Sequence, residues 1–368
     1  MSLDGIQFSL VAILGLLLIL IPLVLVHELG HFITARLVGI RVLEFGLGFP
    51  PRAKVIGHDH ETEYTLNYLP IGGFVRLEGE EADSDDPRAF TNSSLRKQLF
   101  VLVAGVTMNL LTAVVLLFIV AWVFNPVVQP VITQDPIAGS PAALAGLQPG
   151  DTLMSIDGRT HSLLLFGTDP TAGWRDDLAS HGGQAVTLLV EGIDGAQREV
   201  HVLLKVPTSQ DNWSLGVAFG SASIANSTGD PVSAAGLAVT GTARAMGLIL
   251  VTLGGIVGSF ATNPTQAPAG VQGPVGIASD IGHVATQPDA LMLFLLMAAV
   301  ISANLALVNV LPFPPLDGGK MLIMTVKRVF GARGVGAVEQ WAYMAGFALL
   351  LAFIGWITYF DIVRGGAP

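Results

Sequence analysis

The residues best placed to do chemistry lie close together, in His27-Glu28-Leu29-Gly30-His31. On a helix, histidines four residues apart fall on one face about one turn apart, so both imidazoles can reach one Zn²⁺. Glu28 is beside the first of them. It can accept the proton of a water polarised by the metal without binding the metal itself, which is the work of a general base in metal-assisted hydrolysis. The plainer reading is a helix end whose polar residues sit at an interface, but three ionisable groups beside a continuous apolar run are costly in lipid unless paired, coordinated or hydrated.

Two histidines leave a catalytic zinc one protein ligand short. Cysteine is absent from the chain, so the missing ligand must be a histidine or a carboxylate. Asn309-Val310-Leu311-Pro312-Phe313-Pro314-Pro315-Leu316-Asp317-Gly318-Gly319 offers Asp317 at the end of another apolar run. Its prolines cannot continue a regular helix, so the helix breaks there and turns Asp317 inward. Asp317 could instead cap the helix that follows. Asn309 is a polar group on an apolar helix and needs a partner. Its amide could donate to the oxyanion formed on a scissile carbonyl, hold a substrate backbone, or simply bond a neighbouring helix. Helix bonding is the preferred account for Asn304, and Asn109 reads as structural or as support for the site. His58-Asp59-His60 is a competing metal candidate with no evident third ligand, and His161, His181, His201 and His283 are isolated.

These residues must be positioned by membrane helices. With 51% hydrophobic and 12% charged residues and a mean hydropathy of +0.63, the chain suits a bilayer better than water. Residues 6–26, 99–124, 291–311 and 341–360 are each long enough, or nearly so, to span. The first lacks a basic leader and runs directly into His27, so it reads as a retained span rather than a cleaved signal. Residues 234–260 are apolar but carry Arg244 and many Gly and Thr, and are expected to lie on the membrane or form a re-entrant pair. Lys and Arg crowd the two short inter-span loops, whereas the long middle segment holds only Arg159, Arg175, Arg198, Lys205 and Arg244. The positive-inside rule puts the short loops in the cytoplasm and the long segment outside. The net charge of −10 argues against a nucleic-acid partner.

The long segment changes character. Alternating β-formers at 185–190 and 200–206, a strand at 152–156 and a short helix beginning at Ser140-Pro141 mark a small β-rich domain. Residues 63–77 read as a β-loop at the membrane surface. The expected architecture is therefore a polytopic α-helical membrane protein of about four transmembrane helices, with a β-rich extracytoplasmic domain and a membrane-associated β-loop. Its parts are a membrane core in two pieces (1–125 and 290–368), the β-rich domain (126–220) and a membrane-associated linker (221–289).

At these residues the sequence resembles the site-2 protease family, in particular the bacterial regulator-of-sigma-factor type. The resemblance rests on His27 to His31, Gly72-Gly73-Phe74, Ala104-Gly105 to Asn109, Gly273 to Ile277 and Asn309 to Gly319, with Val106 where the family often has proline. Ser140 to Gly158 is similar to the helix-turn-strand of one PDZ domain, where some relatives carry two. The resemblance implies a zinc endopeptidase of a bacterial inner membrane that cuts single-span membrane proteins, such as anti-sigma factors or signal-peptide remnants. It also implies that the substrate is unwound against the β-loop at Gly72, Gly73 and Phe74, and that the PDZ-like domain selects substrates by size or by peptide terminus. A catalytically silent PDZ-bearing scaffold and a metal-ion transporter remain as alternatives.

Overall fold

The computed structural model describes residues 3–59, 61–80, 84–164, 171–209, 211, 213–226, 229–262 and 271–363. The chain divides into two compact units, one formed by residues 1–116 and 246–368 and the other by residues 117–245. The first unit thus joins two stretches that are far apart in sequence.

The first unit starts with α1 (Leu3–Leu37), which carries the paired histidines well inside a continuous helix. Pro22 stands within it. β1 (Val42–His58) and β2 (Glu63–Leu77) follow. Both strands bend, so that residues 44–47 pair on one edge with residues 73–76 and on the other with residues 63–66, while residues 54–58 pair with the far side of 63–66. Among the described residues, no strand pairs with the outer edge of 73–77. Glu44, buried in this sheet, is bound by Arg52 at 2.8 Å and Arg76 at 2.9 Å and accepts from the Thr65 hydroxyl at 2.7 Å. An isolated buried carboxylate would be costly, and this one is fully partnered. α2 (Leu95–Ile119) then runs back antiparallel to α1 and ends in a π turn (Val120–Phe124) that leads into the second unit.

The second unit holds β3 (Pro126–Ile132), α3 (Pro141–Leu144), β4 (Thr152–Ile156), β5 (His161–Ser162), α4 (Ala172–Ser180), β6 (Ala185–Glu191), β7 (Gln197–Leu203) and β8 (Phe219–Asn226). Ser140 caps α3 with its hydroxyl, accepting from the Ala143 amide at 3.2 Å, and Pro141 occupies the first turn where its missing N–H is harmless. The strand order is β5-β3-β4-β6-β7, with β8 added on β3. Leu153 and Ile156 of β4 and alternate residues of β6 and β7 meet Trp174 and Leu178 of α4 in a hydrophobic core. β8 runs past the expected end of this domain at residue 220; its pairing with β3 carries the sheet on to Asn226.

α5 (Pro231–Thr262) is one uninterrupted helix, which corrects the expectation of a re-entrant pair. Its threonines do not break it: Thr240 and Thr242 return their hydroxyls to the carbonyls of Gly236 and Ala238, each at 2.8 Å, so these two hydroxyls are satisfied within the helix. The first unit resumes with α6 (Pro274–Val284), α7 (Ala290–Val310), α8 (Asp317–Phe330) and α9 (Ala332–Val363). By length and composition, five helices among the described residues could cross a membrane rather than four, the additional one being residues 231–256. In the first unit α7 packs along α1, and α9 packs on α6 and α8. α6 is fastened at the far end, where the Asp361 carboxylate accepts from the backbone N–H groups of Gly273 and Gly276 at 3.0 and 2.9 Å.

Candidate metal centre

α1 brings His27 and His31 to one face, and the chain break after α7 delivers Asp317 to them. The Nε2 atoms of the two histidines are 3.0 Å apart, and Asp317 Oδ2 stands 3.0 Å from His27 Nε2 and 3.2 Å from His31 Nε2. All three side chains are buried. Among the described residues this is the one group of three His, Cys, Asp or Glu side chains able to hold a metal ion. Asp317 is the first residue of α8, not its cap, so the carboxylate is free for the histidines and adds a negative charge at a helix N-terminus.

The approach of Asp317 depends on residues without side chains. A Cβ on Gly318 would strike the carbonyls of Val310 and Leu311, and one on Gly319 would lie 2.5 Å from the Phe313 carbonyl carbon. The turn 311–316 is therefore wrapped tightly against the start of α8, as the prolines there predicted.

Each imidazole is oriented by a second contact. His31 Nδ1 donates to the Val101 carbonyl at 2.8 Å, leaving its Nε2 with a lone pair facing the cluster. His27 Nδ1 meets the side-chain amide of Asn109 at 3.2 Å. With Nδ2 toward the ring, Asn109 Oδ1 is buried without a partner. The amide orientation that satisfies this oxygen has Oδ1 accepting the Nδ1–H of His27, which also turns a lone pair on His27 Nε2 to the cluster. α2 can come this close because its facing residues are small. A Cβ on Gly30 would lie 2.6 Å from the Ala104 carbonyl oxygen, and one on Gly105 would lie 2.5 Å from His31 Nε2 and 2.8 Å from His27 Cε1.

The donor set fits zinc. Two nitrogen lone pairs and a carboxylate oxygen converge, and Asp317 Oδ2 is buried with no hydrogen-bond partner. Three such acceptors facing one another repel unless a metal ion or a proton stands between them. Three protein ligands leave one position open, as catalytic zinc requires.

Glu28 is half-buried beside this cluster, and its Cγ lies 3.9 Å from where a Cβ on Gly73 would stand. Gly73 pairs with Leu47, and the Phe74 ring lies against Gly46, where no side chain intervenes. Gly72 has φ of +80°, which favours glycine, and a Cβ there would also press on the Phe49 ring. The free edge of β2 thus passes directly beside the candidate base. A cavity of about 2370 Å³ opens there, with Glu28, Gly73, Phe74, Glu80, Lys320 and Tyr343 in its walls.

Asn309 is half-buried at the next-to-last position of α7, and its side chain makes no hydrogen bond among the described residues. Asn304 faces outward, which corrects its assignment as a helix-to-helix bond. Ser302 makes that bond instead, donating from a fully buried hydroxyl to the Asn109 carbonyl at 2.7 Å. His58 is exposed and Asp59 is committed to a turn, accepting from the amides of Glu61 and Thr62 and pairing with Arg36; His60 lies outside the described residues. Those amides hold the Asp59 carboxyl below the usual carboxylate range. His58 and Asp59 join no group able to hold a metal among the described residues.

Apolar helices that bury a histidine pair, a carboxylate and an adjoining acid define a membrane metallopeptidase. The chain matches Peptidase family M50 over residues 15–353 and belongs to it. It is 32% identical to a protein of Synechocystis sp. named as a zinc metalloprotease, over 97% of this chain and 94% of the other. Another so named, from Nostoc sp., is 32% identical over 92% and 93% of the two chains. A protein of Arabidopsis thaliana named as a chloroplast membrane metalloprotease is 27% identical over 94% of this chain and 78% of its own length. The protein is a multi-pass membrane zinc metalloprotease of the site-2 type.

Proposed function

We propose that this protease is an endopeptidase of single-span membrane proteins, with zinc held by His27, His31 and Asp317 and with Glu28 as the general base. The observation that carries this reading is the convergence of the two Nε2 atoms and Asp317 Oδ2 on one point, with Glu28 one residue from the first ligand. Zinc in such a site supplies Lewis acidity that polarises the scissile carbonyl and lowers the pKa of water. Glu28 accepts a proton from the attacking water and returns it to the leaving amide nitrogen. Asn309, free of other partners among the described residues, offers its amide to the substrate carbonyl or backbone. Val101 and Asn109 hold the imidazole tautomers.

A peptide bond inside a helix is hydrogen-bonded and shielded, so the substrate must be drawn out before it can be cut. The unpaired edge at Gly72, Gly73 and Phe74 takes it as an added strand, which fixes the backbone and presents one carbonyl beside Glu28. The β-rich unit is a PDZ-like domain on the extracytoplasmic side of a bacterial inner membrane that receives peptide termini, and anti-sigma factors or signal-peptide remnants are the substrates expected.

The test is metal analysis and cleavage of a single-span substrate in proteoliposomes. Glu28→Gln should keep zinc and lose activity, and Asp317→Ala should lose or weaken both. Cleavage by Glu28→Gln at the wild-type rate would overturn the assignment of the base. Full zinc occupancy in Asp317→Ala would overturn the ligand set.

A further inference from the structure

The outer edge of residues 73–77 and the metal cluster belong to different elements, and something must fix the gap between them. Lys320 stands three residues after Asp317 on α8, so the two share a face of that helix. Its Nζ donates to Glu80 Oε1 at 2.8 Å, across 240 residues of sequence. Glu80 sits in the turn that leaves β2: its amide donates to the Leu77 carbonyl at 3.3 Å. The turn itself is seated, because Gly79, at φ +73°, packs where a Cβ would lie 2.8 Å from Ala89 Cβ. At the other end, Gly318 and Gly319 hold the start of α8 against the turn 311–316. The pair is partly shielded, with side-chain exposures of 31% for Lys320 and 19% for Glu80, and both residues line the cavity that contains Glu28.

We propose that the Lys320–Glu80 ion pair is a strut that sets the distance from the receiving strand edge to the Asp317-bearing helix, which makes both of them positioning residues for the peptidase reaction. This rests on the reading of the β2 edge as the substrate's docking strand. Neither residue touches the reacting atoms. An added strand held by β2 must present its carbonyl at a fixed offset from a metal held partly by α8, and misplacement by about 1 Å can cost a hundredfold in rate. A pair that merely decorated the surface would be worth almost nothing.

The experiment is a double-mutant cycle on the full chain in proteoliposomes, with zinc content measured for every variant. Lys320→Ala and Glu80→Ala should each lower kcat by about tenfold or more at unchanged zinc occupancy. The double variant should be no worse than the worse single, and the reversed pair, Lys320→Glu with Glu80→Lys, should recover much of the loss. Losses that multiply in the double variant, or activity that falls only in step with zinc, would overturn the strut. The docking reading is tested separately by Phe74→Cys in the Glu28→Gln background, since the chain has no native cysteine. That variant should form a disulfide with a cysteine placed near the scissile bond of a model substrate. Absence of the cross-link for every cysteine position along the substrate would overturn the docking edge, whatever the cycle gives.

Discussion

Substituting Gly105 by alanine tests the metal centre most directly, because the change is remote in sequence from every proposed ligand and adds one methyl group. An ideal Cβ there falls 2.5 Å from Nε2 and 2.6 Å from Cε1 of His31, and 2.8 Å from Cε1 of His27. Ordinary contact begins at 3.4 Å, so the rings and the new methyl must part by about 0.9 Å in a densely packed interior. Zinc ligand distances hold to about 0.2 Å, so a retreat of that size cannot be absorbed within the coordination shell. Disturbing the groups that merely support ligands costs 10- to 100-fold in affinity, so a shift of the ligands themselves should cost at least about 100-fold, or roughly 2.7 kcal/mol. The assay is competition with a chromophoric zinc chelator in detergent, with helicity followed by circular dichroism. Gly355→Ala on α9 is the control, since its Cβ would meet nothing within 4 Å. Wild-type zinc affinity in Gly105→Ala, with intact helicity, would refute the claim that the two rings close on one ion beneath Gly105.

Asn109→Leu should weaken zinc binding 10- to 100-fold by releasing the His27 tautomer, while Asn109→Asp, which keeps an acceptor, should retain most of it; chelator competition separates the two. Ser302→Ala should cost about 1 kcal/mol of resistance to unfolding in mixed micelles without altering zinc content, as the buried bond to the Asn109 carbonyl is lost. His161 packs on Trp174, and burial there, opposed by Asp177 and assisted by Arg159, pulls its pKa below the ordinary histidine value. The unfolded chain therefore takes up this proton first, so the contribution of His161 to stability is present above the ordinary value and is lost as pH falls through the folded one. Hydrogen exchange of the α4 amides should quicken over that window in the wild type and less so in His161→Phe. For α5, single cysteines introduced at Ser233 and Ser259 should be labelled from opposite sides of a sealed vesicle if the helix crosses, and from one side if it lies on the surface.

The metal cluster was legible where its signal was local. His27, Glu28 and His31 share one helical turn, and Asp317 announced itself through the proline-rich break that an apolar helix could not otherwise contain. Strand β4 was legible to the residue for a similar reason, since alternation and a preceding Pro149-Gly150-Asp151 turn are short-range features. What escaped was set by register between helices. α1, α2 and α7 are apolar nearly all round, so no stripe of hydrophobic residues tells which side faces which neighbour. That is why Ser302, not Asn304, bonds α2, and why the contact of Asn109 with His27 was visible only as a vague supporting role. The small residues Ala104 and Gly105 carried the available hint, since close backbone approach needs them. α5 misled for another reason: its glycines and threonines suggested interruption, whereas threonine can satisfy its hydroxyl inside the helix that bears it. β8 was missed because its partner, β3, stands at the opposite end of the unit's sequence.

The proposed ligands of this site are made far apart in time. The carboxylate leaves the ribosome 286 residues after the second imidazole, since His31 and Asp317 are that far apart (317 − 31). A nascent chain that has already threaded α1 and α2 and folded its β-rich unit still owns only two of the three donors. With the proposed ligand set, such a half-made protease would grip its ion only weakly until Asp317 arrives. Chains truncated ahead of α7 should likewise be inert without any inhibitory segment to restrain them.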